Sequence, residues 1–484
     1  MADVRAVLPE PCIIPSVRNV TRALLVLIVL ALAVLLPLVL SGSAELWQAQ
    51  NSPSYLEAAH HYQAAAQRLP WRTDLYELAG HEYYYAKEYL LADAAYQKAF
   101  HRHELTSDGW VAWGDVNYLR NDPKQATEIW EQGLAQPNPS EKLYSRLAQI
   151  YQEEKEYTRA AEYLQRYVSH HPEDASARYR LGLLLTLSDP ATSISELISA
   201  SQLDPDFDPA VQTLRSTLNL ASLNASPSER LVITGRGLGL VGEWELALAA
   251  FQESAKADEN NAEAWAWLAE ANQQTVEENR IEQVHETAKE YLDRALSLNP
   301  NSSVVHTLRG LYFQRIGNNR DALTEFQAAA TLQPDDPALY VSIGESHSKL
   351  GDLIRALEAY QYAANLVPED AGYWRLLAQF CGQNNVNIEN VGIPAAQRVV
   401  VIAGETADAL DLLGWLLSLD SRNVEAERTL LHALELDSQN LSAHFHLAML
   451  YLQTDQLALA QDHLVQARDL GSREAQAVLD QYFP

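Results

Sequence analysis

The chain has 484 residues, with 35 Lys and Arg against 64 Asp and Glu and a formal net charge of −29. That balance argues against nucleic-acid binding, which needs a basic face, and favours basic or neutral partners. Two cysteines, Cys12 and Cys381, supply neither a disulfide framework nor a zinc cluster.

Residues 1–22 read as an irregular tail, with Pro9, Pro11, Pro15 and three arginines. Cys12 precedes the apolar run, so it does not fit a lipoprotein attachment site and reads as a free thiol. From Ala23 to Leu40 every residue is apolar, which suits a membrane span near the short limit. We place a transmembrane helix, a signal anchor, at 23–41. Basic residues precede it, and no Lys or Arg comes after it before Arg68. The expected topology is therefore a cytoplasmic N-terminus with the rest of the chain outside. The rival is a signal peptide cleaved after Ala44 in Ser41-Gly42-Ser43-Ala44, which would release the chain as a secreted protein.

A 34-residue register governs the chain beyond residue 53, and it is sharpest at Ser303–Asp370. Gly310, Phe313, Gly317, Ala322, Phe326, Ala329 and Pro334 are matched, each 34 residues on, by Gly344, His347, Gly351, Ala356, Tyr360, Ala363 and Pro368. Apolar and small residues recur at helical spacing in two blocks separated by a glycine turn, and the prolines stop the second block. Such a hairpin cannot bury its own apolar face, so it must stack on the next.

By the same register, Ala58, Tyr62, Ala65 and Pro70 make 53–72 a half repeat. Units come next at 73–106, 107–140, 141–172 and 173–205, completing a first block over 53–205. The register slips at 206–227, where one helical segment and a Ser/Asn/Pro stretch form a break or hinge. A second block over 228–474 holds units at 228–261, 262–302 (lengthened around Glu277–Glu286), 303–336, 337–370, 371–406 (its turn replaced by Asn384–Asn390), 407–440 and 441–474. Residues 475–484 read as a helical cap, which a solenoid needs at its end. Cys381 falls inside a repeat and reads as a buried small hydrophobe.

This pattern resembles the tetratricopeptide repeat, and the resemblance covers nearly everything after residue 53. It implies an all-α right-handed superhelical solenoid of antiparallel helix hairpins. It also implies protein–protein interaction, with ligands lying against the first helices of the hairpins.

Gly237-Leu238-Gly239-Leu240-Val241-Gly242 fits GxGxxG, comes after the strand-like Arg230–Thr234, and has Asp258 downstream. Gly235 and Gly242 nevertheless fall where other repeats place glycine, and Asn261–Gln274 beyond them reads as helix, so repeat punctuation is the stronger reading. Close histidines (His60-His61, His101 with His103, His170-His171, His444 with His446) are scattered along the solenoid and read as solvated; no metal site, cofactor or small-molecule substrate is expected. No Ser-His-Asp or Cys-His arrangement has a supporting motif, and repeats leave no room for a catalytic domain.

Some members of the family grip a C-terminal carboxylate with Lys, Asn and Arg. Here Lys142 and Arg146 match the third-repeat pair of that clamp, but Glu77, His81 and Ala112 depart from it. The first helices offer instead Asp74, Glu77, Tyr84, Asp108, Asp115 and Tyr118 near the anchor, and Trp267, Trp415, Phe445 and Met449 further on. Aromatic residues in a groove are common binding anchors, and packing between repeats is the competing use. The expectation is a membrane-tethered, non-enzymatic scaffold or assembly factor whose groove takes a neutral to basic peptide or helix. The alternative is an accessory subunit of an envelope polysaccharide, pilus or secretion machinery that partners a glycosyltransferase or polymerase.

Overall fold

A computed structural model describes residues 17–102, 105–275 and 281–483. The tail through residue 16 with Cys12, His103, residues 276–280 of the lengthened unit, and Pro484 lie outside the described residues. Among the described residues the chain is all-α. Packing divides it into two units, one ending at Val211 and the other beginning at Gln212.

The first unit holds α1 (Val17–Asn51), α2 (Tyr55–Arg68), α3 (Leu75–Tyr85), α4 (Tyr89–Phe100), α5 (Ser107–Leu119), α6 (Pro123–Leu134), α7 (Lys142–Glu153), α8 (Tyr157–His170), α9 (Ala175–Leu185) and α10 (Pro190–Leu203). The boundary falls within α11 (Asp208–Ser222). The second unit continues with α12 (Pro227–Leu240), α13 (Trp244–Ala257), α14 (Ala262–Gln274), α15 (Ile281–Leu298), α16 (Ser303–Arg315), α17 (Asn319–Leu332), α18 (Pro337–Lys349) and α19 (Leu353–Leu366). It ends with α20 (Ala371–Asn384), α21 (Ile393–Ala403), α22 (Ala407–Leu419), α23 (Asn423–Leu436), α24 (Leu441–Gln453), α25 (Leu457–Asp469) and α26 (Arg473–Tyr482).

Helices pair as hairpins (α3 with α4, α5 with α6, α16 with α17, α18 with α19), and first helices lie side by side, α3 on α5, α14 on α16 and α22 on α24. First helices thus neighbour one another in each unit. Loop side chains start many of the helices: Thr106, Asp122, Asp174, Asn261, Ser302, Asn318 and Asn440 each accept a backbone N–H from the first turn, satisfying donors that have no partner inside the helix.

The spacing inside each hairpin has a steric cause. A Cβ on Gly310 would lie 2.5–2.8 Å from the ring of Phe326, which is fully buried. Gly80 stands in the same relation to Tyr96, Gly114 to Trp130, Gly235 to Phe251 and Gly344 to Tyr360. In each pair the large residue comes 16 after its glycine (326 − 310, 96 − 80, 130 − 114, 251 − 235, 360 − 344). The two helices close only because one contributes no side chain where the other contributes a ring.

Most turns between first and second helix hold one residue at positive φ. Gly317 supplies it at +79°, with the Asn318 N–H donating 2.8 Å to the Phe313 carbonyl, the 6→1 closure of a Schellman turn. Ser421 takes the same position at +59°, where an L-residue costs about 1–2 kcal/mol. Ser421→Gly is expected to stabilise the second unit by about 0.5–1 kcal/mol after the entropy of glycine is deducted, read from the urea midpoint; a lower midpoint would contradict this account.

Two expectations are corrected. The strand-like Arg230–Thr234 lies in α12: its β-branched residues adopt the helical packing of their neighbours, because tertiary context overrides propensity. The glycines after it serve the repeat, with Gly235 beneath Phe251, Gly237 against Thr217, and Gly242 in the turn at φ +84°. His444 is not solvated. It is buried, with Nδ1 2.9 Å from Nδ1 of His463, and its Nε2 faces the Ser438 carbonyl at 3.1 Å.

α1 is one unbroken helix. Its residues from Leu24 to Leu38 are exposed, whereas Leu46 and Ala49 join Ala58, Ala59 and Tyr62 in the core of the first hairpin. Among the described residues one helical stretch, Leu24–Asn51 of α1, is long and apolar enough to cross a membrane.

Candidate functional site

Three successive first helices, α3, α5 and α7, meet in the first unit around a pocket of about 190 Å³. Tyr84, Asp115, Tyr118, Leu119, Trp130, Arg146, Gln149 and Ile150 line it. A shallower hollow of about 430 Å³, bounded by His81, Tyr85, Asp108, Val111, Ala112 and Lys142, shares Tyr84 and Asp115 with it. A ring-sized ligand fits an apolar cavity of about 150 Å³, so the deeper pocket has room for one large apolar side chain.

The floor is Trp130, buried under Tyr118 with ring centroids 6.1 Å apart. Tyr84 is half-buried on the wall. Tyr85 beside it (5.7 Å) and Tyr55 beyond (5.5 Å from Tyr85) extend an aromatic path away from the pocket. Polar groups stand over this apolar base. Arg146 donates from Nε and Nη2 to the two carboxylate oxygens of Asp115, at 2.8 and 3.1 Å; this bidentate bond raises the guanidinium's pKa above its usual value. The Tyr118 hydroxyl donates to Glu153 at 2.8 Å, and that bond, with burial, pushes its pKa up. Burial is the main cause of the same shift at Tyr84. Lys142 lies 3.7 Å from Asp108. Cations and carboxylates thus stand paired, and the pocket can take an apolar anchor while offering donors and acceptors to a backbone.

Of the residues expected to bind, Tyr84, Asp115 and Tyr118 come together here, and Asp108 borders the neighbouring hollow. Asp74 sits at the start of α3, where its carboxylate accepts from Arg72 Nε and Nη2 at 2.8 and 2.7 Å, and it lines neither space. Glu77 is buried. It accepts the Thr106 N–H at 2.9 Å and the Thr106 hydroxyl, with His81 Nε2 at 3.5 Å. Burial alone would raise its pKa, but the bonds from His81 and Thr106 outweigh that and hold it below the ordinary 4.5.

The remaining four belong to the second unit, where Met449 is exposed on α24. Trp415 stacks on His446 at 5.2 Å, and Phe445 tilts against the same imidazole at 6.1 Å. His446 is held by Asp411 at 2.7 Å. Trp267 lies apart from these two, stacked on Phe251 at 5.9 Å with the Arg236 guanidinium 5.4 Å from its ring. Among the described residues, no group of three or more His, Cys, Asp and Glu could hold a metal ion.

Gln149, Ile150, Leu119 and Tyr85 line these spaces without standing out in the sequence. The 34-residue column carries part of the signal. His81, Asp115 and Gln149 occupy one register position (115 − 81 and 149 − 115), and Tyr84 and Tyr118 another (118 − 84).

A family model described as the tetratricopeptide repeat matches residues 145–206 and 307–373. No curated protein matches the chain. Among solved structures, the chain is similar to the APC/C hetero-tetramer Cut9-Hcn1 at 16% identity, over 95% of this chain and 98% of that one, with a TM-score of 0.36. Yeast Tom70 aligns at 15% identity over 92% and 94%, with a TM-score of 0.36. Pseudomonas aeruginosa pilF aligns at 17% over 47% and 97%, with a TM-score of 0.37.

Proposed function

The chain carries tetratricopeptide repeats, and from that premise we propose that it is a non-enzymatic scaffold or assembly factor that holds partner polypeptides against its first helices. The observation that carries this reading is the pocket between α3, α5 and α7, where Tyr84, Tyr118 and buried Trp130 make an apolar socket beneath the Asp115–Arg146 pair. The ligand is a neutral to basic peptide with one aromatic or branched aliphatic side chain as its anchor. Glu153, bonded by the neutral Tyr118 hydroxyl and Gln149 amide, and the net charge of −29 favour basic residues beside that anchor, and the aromatic socket supplies affinity through desolvation. A second aromatic surface at Trp415 and Phe445 offers a further contact of the same kind in the second unit.

The scaffold is proposed to be tethered. α1 is retained as a single-pass anchor, with its N-terminus cytoplasmic and the repeats outside. Support comes from the apolar run, the arginines before it, and the continuity of α1 through Ser41–Ala44 into the first hairpin core. Cleavage after Ala44 would remove Gly42 from its contact with Leu69.

Peptides selected from a display library on the full chain test the groove. Tyr84→Ala and Tyr118→Ala are each expected to weaken the selected peptides at least tenfold, about 1.4 kcal/mol. Trp415→Ala is expected to leave peptides bound at the first unit unaffected. Unchanged affinity in both tyrosine variants would remove the pocket from the reading.

A further inference from the structure

We propose that the loop between α2 and α3, with Trp71 at its tip, is a second membrane contact that seats the first unit on the lipid headgroup layer. The inference rests on the proposal that α1 is a retained anchor and adds a surface which that proposal does not require. α2 runs back along α1, so the loop after it returns towards the apolar run. Leu69 packs on Gly42, where an added Cβ would lie 2.5 Å from the leucine side chain, and Arg68 and His61 both bond Glu45. Gly42 is two residues beyond Leu40. At 1.5 Å per residue this places the contact about 3 Å beyond the end of the apolar run. The headgroup layer is about 5–7 Å deep on each side of a hydrocarbon core of about 30 Å. Coverage of α1 also begins within the run, since Val39 is already half-buried while Leu38 and Leu40 are exposed.

Pro70 and Trp71 come directly after Leu69, and both are exposed, Trp71 at 53%. In water an exposed indole at a loop tip wastes apolar area. At the bilayer interface its ring sits among carbonyls and headgroups with its N–H hydrated, the environment in which tryptophan is enriched. Arg68 and Arg72 flank it, each already paired with a carboxylate, Glu45 and Asp74. The loop therefore carries little unbalanced charge and suits a zwitterionic surface, with the indole rather than cationic attraction supplying the contact.

The test uses the full chain in phosphatidylcholine vesicles, with nitroxide labels introduced one at a time in a Cys12→Ser background; Cys381 is buried and does not label. Depth is read from accessibility to oxygen against a nickel chelate. Val34→Cys reports the apolar run. Pro70→Cys reports the loop with the indole of Trp71 in place, and Trp71→Ala added to it removes the indole. Tyr55→Cys, at the far end of α2, serves as the aqueous reference, because it lies about 20 Å along that helix from the loop. The expected result is residue 34 deep in the hydrocarbon, residue 70 within about 5 Å of the phosphate level and moved towards water by Trp71→Ala, and residue 55 in water. Residue 34 deep with residue 70 as water-exposed as 55, or unmoved by Trp71→Ala, overturns the indole contact and leaves the anchor standing. Residue 34 in water overturns both.

Discussion

Phe326→Ala is expected to destabilise the hairpin of α16 and α17 by about 3–5 kcal/mol, the cost of emptying a fully buried aromatic site. Gly310→Ala alone is expected to cost about 1–3 kcal/mol, because its Cβ would enter the space of that ring. The informative variant is the double. With the ring removed, the added methyl no longer clashes, partly fills the cavity, and restores about 1 kcal/mol of helix propensity. Gly310→Ala should therefore change sign, stabilising the Phe326→Ala protein. Hydrogen exchange in α16 and α17 reads the effect locally, which a stacked array needs because its units do not all unfold together. If the two substitutions simply add, the ring-in-glycine account of the repeat is wrong.

The second large effect concerns Glu77. Glu77→Ala is expected to cost about 3 kcal/mol, since it strips the partner from the Thr106 N–H, the Thr106 hydroxyl and His81 in a buried setting. Its pH signature separates this role from a ligand-binding one. The pKa of Glu77 is lowered in the folded chain, so its stabilising contribution is fully present above the unfolded value near 4.5 and is lost as pH falls through the folded value. Glu45, whose pKa His61 and Arg68 lower in the same way, acts in the same window. The parent protein should lose stability steeply below about pH 4.5, and Glu77→Ala should show a shallower acid limb from an already lower plateau. An acid limb of unchanged slope would show that the carboxylate is not the staple described.

Both effects bear on what the sequence can reveal. The 34-residue register locates the hairpins, because glycine turns, helix-stopping prolines and alanine pairs are local signals that each repeat restates. The pairing of glycine with a ring 16 residues later is equally present in the sequence. It becomes meaningful only when the two helices are known to face each other. Glu77 shows the limit of such reading. A carboxylate on the first helix of a strongly acidic chain reads as groove-facing, since nothing local indicates that Thr106, 29 residues on, will fold over it. Asp74 misleads for a related reason: Arg72, two residues before it, claims its carboxylate at the mouth of α3. Tyr84, Tyr118 and Asp115 can be anticipated because their register positions recur on successive first helices. Arg146 stands out in the sequence only as half of a clamp that the chain does not otherwise carry, and its use as the partner of Asp115 emerges from geometry.

The unbroken course of α1 from the apolar run into the first hairpin has a consequence for reach. A protein tethered by a flexible linker samples a volume that widens with linker length. Here there is no slack, because the last turns of α1 are already core. If α1 is held in a bilayer as proposed, the socket at Tyr84 and Tyr118 would be carried at a set height, one and two hairpins along from that helix. Its search would then be confined to a plane. Ligands displayed on neighbouring membrane proteins at that height would meet it often, and those free in solution would gain nothing from the tether.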